Sequence, residues 1–220
     1  MIKTEIITVD PEAIDQAALA RAAAILRQGG LVAFPTETVY GLGAVIYNRD
    51  SVKNIFTVKG RPGDNPLIVH IYQWEQMTEL AREVPETAKI LAQRFWPGPL
   101  TMILPKKAEV PAEVSAGLPT VAIRLPAHPV AKELLRLTGQ PVAAPSANSS
   151  GRPSPTRSSH VIADLDGKVE LIIDAGPTGV GVESTVLDLT GPKLRILRHV
   201  ALEVGVLADL RLVADADERI

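Results

Sequence analysis

Residues 59–70 constrain this chain more than any other stretch, reading Lys-Gly-Arg-Pro-Gly-Asp-Asn-Pro-Leu-Ile-Val-His. Two cations separated by one glycine open it. A turn of Pro, Gly, Asp and Asn follows, and then an apolar run that reads as a buried strand. Lys59 offers a compact point charge, and Arg61 a planar fork that matches phosphate oxygens two at a time. Gly60 between them lets the backbone approach a ligand closely. Such a loop, fixed by the strand that ends it, suits a polyphosphate. A solvated turn before a core strand would carry the same residues, so the rest of the chain must decide.

Other short apolar runs also end in polar loops. Residues 31–34 form a strand that stops at Pro35-Thr36-Glu37-Thr38-Val39-Tyr40-Gly41-Leu42-Gly43. Hydroxyls of Thr36, Thr38 and Tyr40 crowd its end, and Gly41 and Gly43 clear space beside them. Ligands collect where loops leave strand ends in α/β sheets; the plainer alternative is a capped turn whose threonines bond their own backbone. The run 121–125 is a strand carrying one arginine, Arg124, which must find an anion or a carboxylate because an unpaired buried charge is costly. A structural salt bridge would satisfy it equally. Residues 142–144 lead into Pro145-Ser146-Ala147-Asn148-Ser149-Ser150-Gly151-Arg152-Pro153-Ser154-Pro155. Small hydroxyl and amide side chains with glycine can cradle ribose and phosphate. A bare Ser/Pro/Gly loop is usually a linker, but strands on both sides argue against a domain boundary here.

Between these strands the periodicity predicts helices. Asp10 caps the first, Pro11 suits its first turn and Gly29 ends it, with Ile14, Ala18, Ala22, Ile25 and Leu26 as its apolar stripe. Further helices are expected over 50–57, 73–82, 86–95, 129–137 and 158–165, with His128 packed near the start of the one over 129–137. Strands are expected at 2–9, 67–71, 100–104 and 171–174, and a hairpin from 183–189 and 193–198. Trp96, at the break 96–99, reads as a packing residue. The tail 201–220 is weakly helical and ends acidic. No internal repeat, Gly-x-Gly-x-x-Gly or P-loop signature occurs.

The 220 residues suffice for one large domain or two small ones, and 46% apolar with 22% charged residues is ordinary for a globular chain. A formal net charge of -2 argues against gripping nucleic acid by bulk charge. With no cysteine, disulfides, thiolate catalysis and cysteine-zinc sites are excluded. The four histidines show no paired metal spacing, so no metal ligands are assigned. The first residues lack a signal-peptide apolar core and no run approaches a membrane span, so a cytoplasmic location without membrane association is expected.

In order along the chain, Pro35 through Leu42, Lys59-Gly60-Arg61-Pro62, Asn65-Pro66-Leu67, Trp96-Pro97-Gly98-Pro99-Leu100-Thr101, Val121-Ala122-Ile123-Arg124, Pro145-Ser146-Ala147-Asn148 and Val182-Glu183-Ser184-Thr185 closely resemble the YrdC-like family, the threonylcarbamoyl-AMP synthases. The resemblance runs from about residue 10 to residue 198. It implies a single α/β domain over 1–200 and a tail over 201–220. The implied architecture is a twisted mixed β-sheet flanked by helices, with a large concave cavity. It further implies an L-threonylcarbamoyladenylate synthase, a nucleotidyltransferase that condenses L-threonine, bicarbonate or CO2, and ATP and releases pyrophosphate. A separate transfer complex would then modify the adenosine beside the anticodon of tRNA, with at most a weak tRNA contact by this chain.

By the same resemblance, Lys59, Arg61 and Arg124 are the catalytic cations. Lys59, Arg61, Asn65, Thr120, Ser146, Ser154 and Arg198 contact ATP, with Asn148 close by. Thr38, His70, Arg124, Ala144 and Ser184 line the threonine pocket, with Thr36 nearby. Mg2+ is expected on the triphosphate, held mostly by phosphate and water because no carboxylate cage is present. Glu37 and Glu183 read either as salt-bridge partners or as parts of the site, and His70 as a core histidine or a ligand contact. The family's longer branch carries a second C-terminal domain, so a short form or a piece of a longer chain is expected. Arg198-His199-Val200 stands where the family often has Arg-Pro-Gly. Two other functions compete: a double-stranded RNA or tRNA-binding module without catalysis, disfavoured by the net charge, and a carbamoyl-transfer domain, whose zinc-binding cysteines are missing here.

Overall fold

The computed structural model describes residues 2–202; the expected tail falls, beyond its first two residues, outside the described part. In chain order the elements are β1 (Glu5–Thr8), α1 (Gln16–Arg27), β2 (Val32–Pro35), β3 (Tyr40–Val45), α2 (Arg49–Lys59), β4 (Ile68–His70), α3 (Glu75–Leu80), α4 (Glu86–Phe95), β5 (Leu100–Pro105), α5 (Ala112–Ser115), β6 (Thr120–Arg124), α6 (Pro129–Thr138), β7 (Val142–Ala143), α7 (Ser158–Leu165), β8 (Leu171–Asp174), β9 (Thr185–Asp188) and β10 (Arg195–Arg198). The strands form one open, mixed sheet of order β1-β8-β2-β3-β7-β4-β6-β5-β9-β10. β1, β2 and β8 run parallel, as do the pairs β4–β6 and β5–β9, while β3 and β7 pair antiparallel to their neighbours.

β2 shows why the sheet is covered on both faces. Successive side chains of a strand point to opposite sides. Ala33 and its upstream neighbour Leu31 enter the core formed with α2, α3, α4 and α7, whereas Val32 and Phe34 enter the core formed with α1 and α6. All four strand residues are buried. Burying each large apolar side chain contributes about 1.5–3 kcal/mol before conformational entropy is counted.

α1 starts later than its sequence suggests. Asp15, not Asp10, is the cap, its carboxylate accepting from the amides of Ala17 and Ala18 at 2.9 and 3.0 Å. Asp10 instead accepts from Glu12 N at 2.9 Å and closes a local turn. The buried stripe is Leu19, Ala22, Ala23 and Leu26, with Ile14, Ala18 and Ile25 flanking it, because shifting the start rotates the helix face. α2, α4, α6 and α7 fall at or within two residues of their expected bounds, and the β9–β10 hairpin forms as expected. The short helix α5 has no counterpart among the expected elements.

The larger difference is β3. Its residues read as the loop after β2, yet β2 and β3 make a tight antiparallel pair from Val32↔Gly43 to Pro35↔Tyr40. Glycine weakens a strand unless something packs close. Here a Cβ on Gly43 would stand 2.8 Å from Phe34 Cε1 and 3.0 Å from Val142 Cγ1. Gly60 has a further role. It caps α2 in the left-handed conformation (φ 60°), and nothing lies within 4 Å of where its Cβ would be. Its left-handed conformation turns the chain between Lys59 and Arg61.

Candidate active site

One cavity of about 330 Å3 opens where the β2–β3 turn meets β4, β6 and the loop after β7. The sheet supplies its floor through Ile68 and His70 of β4, Ala122 and Arg124 of β6, and Ile103 of β5. Backbone bonds fix the loops around it. Leu42 N donates to Pro145 O and Ala147 N to Tyr40 O, each at 2.8 Å, which ties the loop after β7 to β3. Val180 N and Gly181 N donate to Glu37 O and Thr38 O, at 2.8 and 3.0 Å, which draws the loop before β9 over the β2–β3 turn.

Among its lining residues are Thr36, Thr38, His70, Arg124, Ala144 and Ser184, the residues expected to hold an amino acid. Thr36 Oγ1 lies 2.9 Å from Thr38 Oγ1 and donates to Val39 O at 2.7 Å, so the threonine turn caps itself while facing the cavity. Arg124 is 4% exposed. Its Nη1 donates to Thr38 Oγ1 at 2.9 Å and its Nε to Gly98 O at 3.3 Å. Its Nη2 lies 2.7 Å from Glu37 Oε1, an ion pair without a well-aligned hydrogen bond. Burial pulls the guanidinium below its usual range and Glu37 opposes that pull. Both alternatives for Arg124 hold at once: it has a carboxylate partner, and it still lines the cavity.

His70 is not a satisfied core histidine. It is buried, its ring meets Phe34 edge-on at 6.3 Å between centroids, and its Nδ1 has no partner among the described residues. Burial, with the Arg124 charge beside it, pushes its pKa down to about 3, so it is neutral at pH 7. Ser184 Oγ bonds Thr101 Oγ1 at 2.8 Å and accepts from Arg198 Nη2 at 3.1 Å; Thr101 is a supporting residue that sequence reasoning missed.

Arg61, Asn65, Ser146 and Arg198 line the same cavity. Arg61 makes only long bonds, 3.4 Å from Nη2 to the carbonyls of Asn65 and Pro66, and its Nε is buried without a partner among the described residues. It is a preformed fork with capacity to spare. Arg198 donates from Nε to Ser184 O at 2.8 Å; burial lowers its pKa, Glu183 raises it and Arg124 lowers it.

Four expected nucleotide contacts are not in this wall: Lys59, Thr120, Asn148 and Ser154. Lys59 points beneath the loop after β7, its Nζ donating to the carbonyls of Ser146 and Asn148 at 2.5 Å each and to Asn148 Oδ1 at 3.1 Å. Burial, and Arg61 next to it, push its pKa down to about 8. Asn148 passes the bonding on, donating from Nδ2 to Arg152 O at 2.6 Å. Thr120 opens β6 opposite Pro105. Ser154 reaches the cavity through a partner, donating at 2.6 Å to Glu183 Oε1, and Glu183 itself lines the wall. The hydroxyl of Tyr40, the third of the crowded strand end, faces away and donates to Gly176 O at 2.7 Å. No group of three or more His, Cys, Asp or Glu able to hold a metal occurs among the described residues, and none of their helices is long and apolar enough to cross a membrane.

Comparison with known proteins agrees with this geometry. The family model Sua5_yciO_yrdC, described as telomere recombination, matches residues 24–200. A threonylcarbamoyl-AMP synthase of Pyrococcus abyssi is 58% identical over 179 residues, 81% of this chain and 53% of that protein. The Bacillus subtilis protein of the same name is 57% identical over 187 residues, 84% of this chain and 52% of its own length. The chain thus spans about half the length of these curated relatives. The crystal structure of P. abyssi Sua5 complexed with L-threonine superposes with a TM-score of 0.92 at 53% identity, covering 94% of this chain and 61% of that one. On the family model over residues 24–200 and the identity to these relatives, the chain belongs to the Sua5/YciO/YrdC family.

Proposed function

We propose that this chain makes L-threonylcarbamoyladenylate from L-threonine, bicarbonate or CO2, and ATP, releasing pyrophosphate. The observation that carries the reading is the convergence of Arg61, Arg124 and Arg198 on one cavity with a neutral His70 whose Nδ1 has no partner among the described residues. Three guanidinium groups suit one carboxylate and a row of phosphates. The names of the relatives, and the L-threonine bound by P. abyssi Sua5, support it.

In this reading Arg124, oriented by Thr38, receives the threonine carboxylate. Thr36, Ala144 and Ser184 shape the pocket, and His70 Nδ1 accepts from the threonine hydroxyl. A buried polar atom that only the correct substrate satisfies would reject valine by about 10⁴-fold. Arg61, Asn65, Ser146 and Arg198 take the nucleotide, Thr120 and Ser154 add contacts at its edge, and Asn148 and Lys59 hold the Ser146 loop in place. A carbamate oxygen attacks the α-phosphorus, and negative charge spreads over phosphoryl oxygens. Catalysis is then mostly positioning and electrostatic stabilisation by preset cations. Mg2+ arrives with ATP as part of the substrate; among the described residues the wall offers it a single carboxylate and no cage.

The product is a reactive mixed anhydride. A separate transfer complex would consume it to place threonylcarbamoyl on the adenosine beside a tRNA anticodon, in the cytoplasm. The test is to mix the purified protein with ATP, Mg2+, bicarbonate and threonine and to follow pyrophosphate. Threonine-dependent pyrophosphate is expected. Its absence, with a steeply salt-dependent affinity for tRNA, would instead favour the RNA-binding alternative.

A further inference from the structure

Among the described residues that line the cavity, Glu183 is the one carboxylate, facing a wall that includes Arg61, Arg124 and Arg198. Neighbouring carboxylates are already engaged. Glu37 holds Arg124 and accepts from Ala127 N at 3.1 Å. Asp164 pairs with Arg152 and accepts from Ser149 N at 2.9 Å, and Asp188 pairs with Arg195 at 2.5 Å. Glu183 accepts one hydrogen bond among the described residues, from Ser154 Oγ at 2.6 Å. It precedes Ser184 and sits in the field of Arg198, whose guanidinium bonds Ser184. In the proposed reading it is therefore beside one residue of the threonine pocket and one nucleotide contact.

We infer that Glu183 accepts the proton released when the substrate amine becomes a carbamate. The inference rests on the threonylcarbamoyl-AMP reading of the cavity. An amino acid enters as an ammonium ion, and three nearby guanidinium groups disfavour a further cation, so the ammonium loses one proton to solvent readily. The neutral nitrogen attacks the carbon of CO2. A C–N bond forms, one C=O electron pair moves to oxygen, and the nitrogen becomes positive and acidic. That N–H proton passes to a Glu183 oxygen, leaving the carbamate anion and a protonated Glu183. A carbamate oxygen then bonds to the α-phosphorus as the bridging P–O bond to the β-phosphate breaks, and pyrophosphate leaves. Glu183 returns its proton to solvent. Of the other groups in the wall, His70 is held below its usual basicity by burial and Arg124, and the arginines are already protonated.

Glu183→Gln and Glu183→Ala test this in the threonine-dependent pyrophosphate assay. The Gln variant keeps an oxygen to accept from Ser154 but has no basic carboxylate. Its kcat should fall by about 10²–10⁴-fold, with the KM for ATP changed by less than about threefold. Sodium formate should restore part of the rate in the Ala variant. If the Ala variant does not fold, the Gln variant decides by itself. Wild-type kcat in Glu183→Gln overturns the inference alone. So does recovery of its rate at raised Mg2+, which would make the carboxylate a metal contact. If the wild-type protein itself shows no threonine-dependent pyrophosphate, the reaction assignment fails and the inference with it.

Discussion

Lys59→Met separates two roles that a buried lysine beside a nucleotide cavity can have. The side chain is 4% exposed, and its ammonium donates to Ser146 O, Asn148 O and Asn148 Oδ1. Methionine keeps the length and apolar stem but donates nothing. Each stranded buried acceptor costs about 1–3 kcal/mol. Against this, burial lowers the Lys59 pKa from 10.5 to about 8, so the charged ammonium itself costs the folded state about 3 kcal/mol at pH 7. Methionine removes that cost. Partial relaxation of the loop leaves a net loss of about 2 kcal/mol, which lowers Tm by about 4–8 °C in a chain of this size. The sign with pH follows from the same shift. Between pH 8 and 10.5 the unfolded chain holds a proton that the folded one has lost, so the wild type gains stability as pH rises through that window and the Met variant does not. Because the ammonium pins the loop at Ser146 and Asn148, AMP and ATP binding should weaken together, by about 10²-fold. Thermal melts and calorimetric titrations with each nucleotide check this. An unchanged Tm with intact affinity would refute the pin. Weakened ATP with normal AMP would place Lys59 on the terminal phosphates instead.

Arg61→Ala should abolish most threonine-dependent pyrophosphate release while changing stability by less than about 1 kcal/mol, since it breaks no strong bond; its guanidinium makes only 3.4 Å contacts, and urea melts alongside kinetics decide. His70 stays neutral through the working range, so its ring resonances should not titrate between pH 5 and 8 by NMR. The unfolded chain binds that proton near pH 6.5 and the folded one only near 3, so stability should fall as pH drops below 6.5; His70→Phe should flatten the decline, and a parallel decline in both proteins would contradict it. Gly43→Ala should destabilise by about 1–3 kcal/mol through overpacking, because the new methyl would stand 2.8 Å from the Phe34 ring; an unaltered denaturation midpoint would contradict the packing described.

Much of the fold was legible because local and global preferences agree. The run carrying Arg124, the α6 helix between Pro129 and its Gly139 cap, and the β9–β10 hairpin each combine a clear period with clear stop signals, and each forms. β3 did not read as a strand because Gly41 and Gly43 are poor strand formers, and what selects them is distant in sequence: Phe34, Val142 and Ala144 press against them from β2 and the β7 segment. Asp10 and Asp15 are both good caps, and only the packing of Leu19, Ala22, Ala23 and Leu26 on α6 chooses between them.

The site divides along the same line. Residue type tells that Arg61, Arg124 and Arg198 need anions, and all three reach one cavity. Type does not tell which way a side chain turns. Lys59 and Arg61 are two residues apart, yet α2 ends between them, at Gly60. The left-handed turn there sends one cation under the Ser146 loop and the other into the cavity. The same limit left Glu183 open between a salt bridge and the site. Its sequence neighbours read as the start of a hairpin strand, but the strand begins only at Thr185, and Glu183 lies before it, bonded to Ser154 across the cavity mouth. A motif therefore names the chemical groups a site needs. Which of them face the ligand is decided by where each helix and strand stops, and here one glycine and a two-residue delay in β9 make that decision.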